Sequence, residues 1–187
     1  MQQNGIEAIL AANSVIPVAT IRDEKELETI YNKIIENDIH CIEITLRTAF
    51  APEAIRILKS RNLTNFSIGV GTVIRPDQVQ MVKDLGVDFI VSPGLTEKLA
   101  TALHASGIPF IPGVSTVSEI MAGLELDCTF FKFFPANLSG GIEALKAFGQ
   151  LFPNVKFCPT GGINGSTFQD YLNESNIISV GGSWMLK

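Results

Sequence analysis

Short apolar runs alternate with longer amphipathic ones along the whole chain. The strand-like runs are Val15–Ala19, Cys41–Thr45, Phe66–Val70, Phe89–Val91, Pro109–Ile111, Thr129–Phe133, Val155–Cys158 and Ile177–Val180. They are rich in Val, Ile and Phe, and several are apolar on both faces, as expected of a sheet covered on both sides. Between them lie helical patterns. Asp23–Glu36 places Leu27, Ile30, Tyr31 and Ile34 at helical spacing, with Asp23 as its N-cap. Further helices are predicted over Ala51–Ser60, Pro76–Leu85, Thr96–Ala105, Thr116–Gly123, Gly140–Phe148 and Ser166–Leu172, and an extra one around Gly5–Ala12 precedes the first strand. Pro76 in a first turn, and Gly86, Gly107 and Gly123 near helix ends, supply start and stop signals.

Eight strands alternating with seven helices predict a parallel α/β fold, one domain over residues 1–187. A (β/α)8 barrel and an open doubly wound sheet both satisfy that order. No Gly-x-Gly-x-x-Gly follows the first strand, which disfavours the dinucleotide-binding open sheet. A barrel at this length needs minimal loops, since ~250 residues is typical. The sequence stops at Lys187, five residues after Gly182, with no room for a helix after the eighth strand. Either more chain or another subunit is therefore expected on that flank.

Composition narrows the function. Apolar residues make up 46% and charged residues 18%, which rules against disorder. A net charge of −5 with scattered basic residues argues against nucleic acid or an anionic membrane as partner. No apolar run approaches the ~18 residues of a membrane span. The N-terminus lacks the basic start and apolar stretch of a secretory signal. Cys41, Cys128 and Cys158 lie in apolar segments and suit buried free thiols in a reducing cytoplasm. His40 and His104 lack ligand spacing, so no metal or other cofactor is expected, and His104 is read as a surface residue without a role.

The chemistry should sit at the carboxyl ends of the strands. In the second strand Glu43, Thr45 and Arg47 share one face by period two, with Ile42, Ile44 and Leu46 on the other. Glu43 and Arg47 then face the barrel interior and its mouth, either as a structural ion pair or as working groups. Charges there are costly unless used. Lys132 lies between paired phenylalanines, where lost hydration favours the neutral amine that attacks a carbonyl. The alternative is an edge-strand lysine whose head reaches water. Strand six of eight in a closed barrel has no free edge. Thr72 ends the third strand within Gly69-Val-Gly-Thr72, where glycine allows close backbone approach. Ser92-Pro93-Gly94 and Pro112-Gly113-Val114 read mainly as turns. Two glycine pairs, Gly161-Gly162 after strand seven and Gly181-Gly182-Ser183 after strand eight, stand where barrels frequently hold phosphate.

Glu43-Ile-Thr-Leu-Arg-Thr48, Gly71-Thr-Val73, Ser92-Pro-Gly-Leu-Thr96, Ile111-Pro-Gly-Val-Ser-Thr116, Phe131-Lys-Phe-Phe-Pro-Ala136, Cys158-Pro-Thr-Gly-Gly-Ile163 and Gly181-Gly-Ser-Trp184 occur in this order. Together they resemble the 2-keto-3-deoxy-6-phosphogluconate (KDPG) and 4-hydroxy-2-oxoglutarate (KHG) aldolases. Members usually continue about two dozen residues beyond the Gly-Gly-Ser-Trp segment, where this sequence has only Met185, Leu186 and Lys187. The resemblance implies a (β/α)8 barrel, usually a homotrimer, needing no metal. It makes Lys132 the Schiff-base residue and Glu43 the general acid/base. Arg47 and Thr72 would hold the substrate carboxylate, and Pro93 and Phe134 would shape the pocket. Gly161, Gly162, Gly182 and Ser183 would hold the distal phosphate.

The activity so implied is cleavage of a small phosphorylated 2-keto acid, KDPG, to pyruvate and glyceraldehyde 3-phosphate, with KHG as a second substrate. The galactonate epimer is the alternative substrate. A phosphate-binding barrel isomerase or epimerase, or a sugar-phosphate sensor, would use the same glycine loops without a Schiff base.

Overall fold

The computed structural model describes residue 3 and residues 5–186. The sequence readings of Met1, Gln2, Asn4 and the terminal Lys187 lie outside the described residues. The first element is helix α1, Ile6–Ala12, close to its expected place. Strands and helices then alternate as β1 Val15–Ala19, α2 Glu24–Glu36, β2 Cys41–Thr45, α3 Ala51–Ser60, β3 Ser67–Gly71, α4 Pro76–Asp84, β4 Phe89–Val91 and α5 Glu97–Ser106. The second half runs β5 Phe110–Ile111, β6 Gly113–Val114, α6 Val117–Glu125, β7 Phe130–Phe133, α7 Gly141–Leu151, β8 Lys156–Pro159, α8 Phe168–Leu172 and β9 Val180–Gly182.

The helix starts follow local chemistry. Asp23 caps α2 by accepting from Glu26 N at 2.8 Å, and Thr96 and Thr116 cap α5 and α6 through their hydroxyls. At α6 the cap is reciprocal, because Glu119 Oε2 accepts from Ser115 N at 2.7 Å and Thr116 N at 2.9 Å.

Two boundaries depart from expectation. The fifth strand ends at Ile111, where it was expected to, but Gly113–Val114, read as a turn, forms a further short strand beyond Pro112, which has no N–H for the ladder. Its carbonyl still accepts from Lys132 N at 2.8 Å, so the chain keeps its direction through the break. The last strand starts at Val180 rather than Ile177, because Ile177 makes only an isolated bridge to Phe157.

All strand pairs are parallel, as the alternating pattern predicts. They form a sheet of order β5-β4-β3-β2-β1-β9 and a second of order β6-β7-β8. Where one eight-stranded ring was expected there are thus two sheets. They are linked by the Pro112 break and by single bridges, Phe157 to Ile177 and Thr160 to Gly181.

Apolar packing falls into two clusters. The larger joins the outer strand faces to the helices and includes Ile42, Ile44, Phe131, Phe133 and Phe157. The smaller gathers Ile16, Cys41, Phe89, Val91, Ile111 and Cys158 from the inner strand faces with Ile6 and Leu10 of α1. Helix α1 therefore plugs the end opposite the strand carboxyl ends. Gln3 completes the plug: its amide donates to Phe110 O at 3.0 Å and Phe130 O at 2.9 Å, and its oxygen accepts from Thr129 N and Phe130 N. Burying Ile6 and Leu10 contributes roughly 1.5–3 kcal/mol each. The result is an apolar floor under the polar residues described next. No helix among the described residues is long and apolar enough to cross a membrane.

Candidate active site

Every residue of β2 is buried, so its period-two alternation sends Ile42 and Ile44 under the helices and Glu43 and Thr45 inward. Lys132 comes inward from β7, across the interior. Its Nζ lies 3.1 Å from Glu43 Oε1 and 3.3 Å from Oε2. Residue exposures are 6% for Lys132 and 4% for Glu43, so both charges are desolvated and each is the other's compensation. The ammonium also sits 5.4 Å from the centre of the Phe134 ring. Gly113 and Cys158 flank Lys132 in register, and Val18 and Gly69 flank Glu43.

Gly71 makes room for this pair. A Cβ there would lie 1.9 Å from Glu43 Oε1. The Gly69-Val-Gly71 segment was read as easing backbone approach near Thr72. What Gly71 accommodates is the Glu43 carboxylate.

A cavity of about 820 Å³ opens above the pair. Seven of the residues singled out from sequence line it: Lys132, Arg47, Phe134, Gly161, Gly162, Gly182 and Ser183. Glu43 lies at its floor through the Lys132 contact. Arg47 lies beyond the end of the strand whose period-two alternation had placed it on the inner face. The β2–β3 pairing ends at Thr45 opposite Gly71, and Arg47 stands exposed in the following turn, at the cavity mouth.

Thr72 and Pro93 are not part of the cavity lining. Thr72 directly follows β3 with a left-handed φ of 62°, which turns the chain away from the sheet. Pro93 follows β4 and presses on β6, where a Cβ on Gly113 would lie 2.3 Å from its carbonyl carbon. The turn after β8 holds Gly161 at φ 102° and Gly162 at φ 77°, conformations that favour glycine. Their carbonyl side is tied to the segment after β7, with Asn137 N donating to Gly161 O at 3.1 Å.

Among the cavity residues given no role from sequence are two threonines. Thr160 is buried at the end of β8, and Thr20 directly follows β1. The strand-end rule that selected Thr72 applies equally to both. The lining also carries Arg22 and Lys25, set against Asp23 and Glu26, so with Arg47 the opening of this acidic protein holds a small excess of positive charge. Arg22 is partly neutralised by Glu26 at 2.9 Å.

The thiols stand apart from this chemistry. All three are free and buried. Burial, then the neighbouring Cys158 and Glu43, drives the Cys41 thiol far above its usual range. Burial likewise pushes Cys128 up to about 12 and Cys158 up to about 11, the latter against the pull of Ser179 and Lys132. His104 is a correction: it is half-buried, its Nε2 is 2.8 Å from Leu126 O, and its ring meets Phe110 edge-on at 4.9 Å. It ties α5 to the segment before β7 instead of standing on the surface.

Comparison with known proteins agrees with this geometry. An aldolase family model, KDPG and KHG aldolase, matches residues 6–187. The KHG/KDPG aldolase of Escherichia coli K12 is 39% identical over 180 residues, which are 96% of this chain and 84% of the relative. The 2-dehydro-3-deoxy-phosphogluconate aldolase of Dickeya dadantii is 41% identical over the same shares. Among solved structures, the KDPG aldolase of Legionella pneumophila superposes with a TM-score of 0.92 at 44% identity, covering 97% of this chain and 88% of that one. In that crystal pyruvate was captured at low pH as a covalent carbinolamine.

Proposed function

This chain belongs to the KDPG and KHG aldolase family, and on that premise we propose that it cleaves KDPG to pyruvate and glyceraldehyde 3-phosphate through a Schiff base on Lys132. The observation that carries the proposal is the buried contact of Lys132 Nζ with Glu43 at the cavity floor, 3.1 Å long. A carboxylate there can take a proton from the ammonium and free the amine to attack C2 of a 2-keto acid. Glu43 returns a proton to the carbinolamine oxygen, which leaves as water and gives an iminium.

The iminium is the electron sink. Glu43 then takes the C4 hydroxyl proton, directly or through one water. The C3–C4 bond breaks, its electron pair enters the iminium to form an enamine, and the aldehyde leaves. Protonation at C3 and attack of one water at C2 release pyruvate and restore Lys132.

Arg47 at the mouth offers a fork for the substrate carboxylate; the roles of Thr72 as a second carboxylate contact and of Pro93 as a pocket wall rest on the family likeness alone, since both lie outside the cavity lining. Phe134 packs beside the reacting carbon. Gly161, Gly162, Gly182 and Ser183 take the distal phosphate, helped by the small excess of positive charge at the opening. The strands close as a (β/α)8 barrel, and the functional assembly is a homotrimer working in the cytoplasm. KHG is the second substrate, because Lys132, Glu43 and Arg47 require only a 2-keto acid, and the Escherichia coli relative is named for both activities.

A lactate dehydrogenase-coupled assay tests this reading. Offered KDPG, its galactonate epimer and KHG, the enzyme should release pyruvate fastest from KDPG. Absence of pyruvate from all three would defeat the proposal.

A further inference from the structure

We propose that the hydroxyl pair Thr20–Thr45 binds the C5 hydroxyl of the phosphorylated substrate, with Thr20 as donor, an inference that rests on the aldolase reading of the cavity. The two Oγ1 atoms are 2.8 Å apart. Thr45 lies two residues beyond Glu43 on the inner face of β2. Val18 pairs with Glu43 and Ala19 with Ile44, so Thr20 continues the row opposite Thr45. The pair therefore forms the next layer above Glu43 and Lys132. At ~3.3 Å per residue that layer is about 6.6 Å nearer the mouth.

Proton accounting gives the pair a direction. A threonine hydroxyl donates one proton and accepts through two lone pairs. Thr45 is fully buried, and among the described residues its hydroxyl meets only that of Thr20. A buried donor is costly to leave unspent, so Thr45 donates to Thr20. Thr20 is half-buried and lines the cavity, which leaves its own proton to turn toward a ligand. Thr48 Oγ1, donating to Ile21 O at 2.5 Å, fixes the segment after β1 in which Thr20 stands.

The substrate's anatomy matches this layering. C2 is held by Lys132, and the C4 hydroxyl belongs to Glu43, which exhausts the lower layer. The phosphate goes to the turns around Gly161 and Gly182, which share the cavity with Thr20. C5 is the carbon between C4 and the phosphate-bearing end, and it carries the one hydroxyl left without a partner. Thr20 is at the height where that carbon passes.

The experiment compares kcat/KM for KDPG and for its 5-deoxy analogue in wild-type enzyme, Thr20→Val and Thr20→Ser. Thr20→Val keeps the side-chain shape, and Thr20→Ala removes the same hydroxyl should valine disturb the fold, which circular dichroism reports. Wild-type enzyme should prefer the hydroxylated substrate by about tenfold, the value of one ordinary hydrogen bond. Thr20→Val or Thr20→Ala should bring that ratio to about one, and Thr20→Ser should restore it. A ratio unchanged by loss of the hydroxyl, or no preference in wild-type enzyme, overturns the proposal while leaving the aldolase reading intact. Wild-type enzyme that cleaves neither compound defeats both.

Discussion

Lys132 Nζ and Glu43 Oε1 approach to 3.1 Å from strands on opposite sides of the interior, although 89 residues separate them in the chain. Neither side chain has meaningful access to water, so the contact ties stability to chemistry. Removing one partner leaves a buried charge uncompensated, which typically costs 3–5 kcal/mol. Glu43→Gln should therefore lower the melting temperature, and adding Lys132→Met should recover part of the loss. Thermal denaturation of the two variants checks this; a double variant less stable than the single one would contradict it.

The same substitution tests catalysis. Glu43→Gln keeps the shape but loses the proton acceptor, so kcat should fall by about 10²–10⁴. Near-normal turnover in the coupled assay would remove Glu43 from the proposed role.

Gly71 offers a subtler probe, because it touches no substrate. A methyl group 1.9 Å from Glu43 Oε1 forces the carboxylate aside. Gly71→Ala should reduce kcat by about 100-fold, as expected for a catalytic group displaced by about 1 Å. KM should change far less, and steady-state kinetics would show the split.

The thiols make a pH prediction. A thiolate is the reactive form, and burial has raised Cys158 to about 11 and Cys128 to about 12, with Cys41 higher still. At pH 8 the native protein should react with no equivalent of a thiol-specific reagent, and the denatured protein with all three cysteines. Fast labelling of the native state would contradict the packing described here.

Glu119 carries acid sensitivity. Burial tends to raise its carboxyl, but hydrogen bonds from Ser115 and Thr116 outweigh that and hold it below its ordinary range. A depressed folded-state value gives stability that is present above the unfolded value and lost as pH falls through the folded one. Glu119→Ala should cost about 1 kcal/mol at pH 7, the value of a cap. The gap to wild type should narrow as pH falls below the ordinary carboxylate range, which denaturant melts at several pH values would show.

Much of this architecture was legible because local signals agreed with the global fold. Asp23 was read as a helix cap and is one, and the helices predicted from Thr96 and Thr116 begin with those threonines as their caps. Lys132 among phenylalanines and the two glycine turns pointed to one cavity, and the structure brings them together there. Two of the misreadings lie at strand ends, where period two no longer applies. Arg47 was placed on the inner face of a strand whose pairing ends at Thr45, and Gly113–Val114, read as part of a turn, pairs with β7 as a short strand of its own. What Gly71 makes room for was invisible for a different reason. A glycine's partner across a sheet depends on register, which no local pattern encodes.

The central claim is that Lys132 forms the covalent bond to substrate. Borohydride added to the enzyme with pyruvate, followed by peptide mass spectrometry, tests it directly. The expected result is one reduced pyruvate adduct, located on Lys132 and absent from a folded Lys132→Ala variant. No adduct, or an adduct on a different lysine, would contradict it.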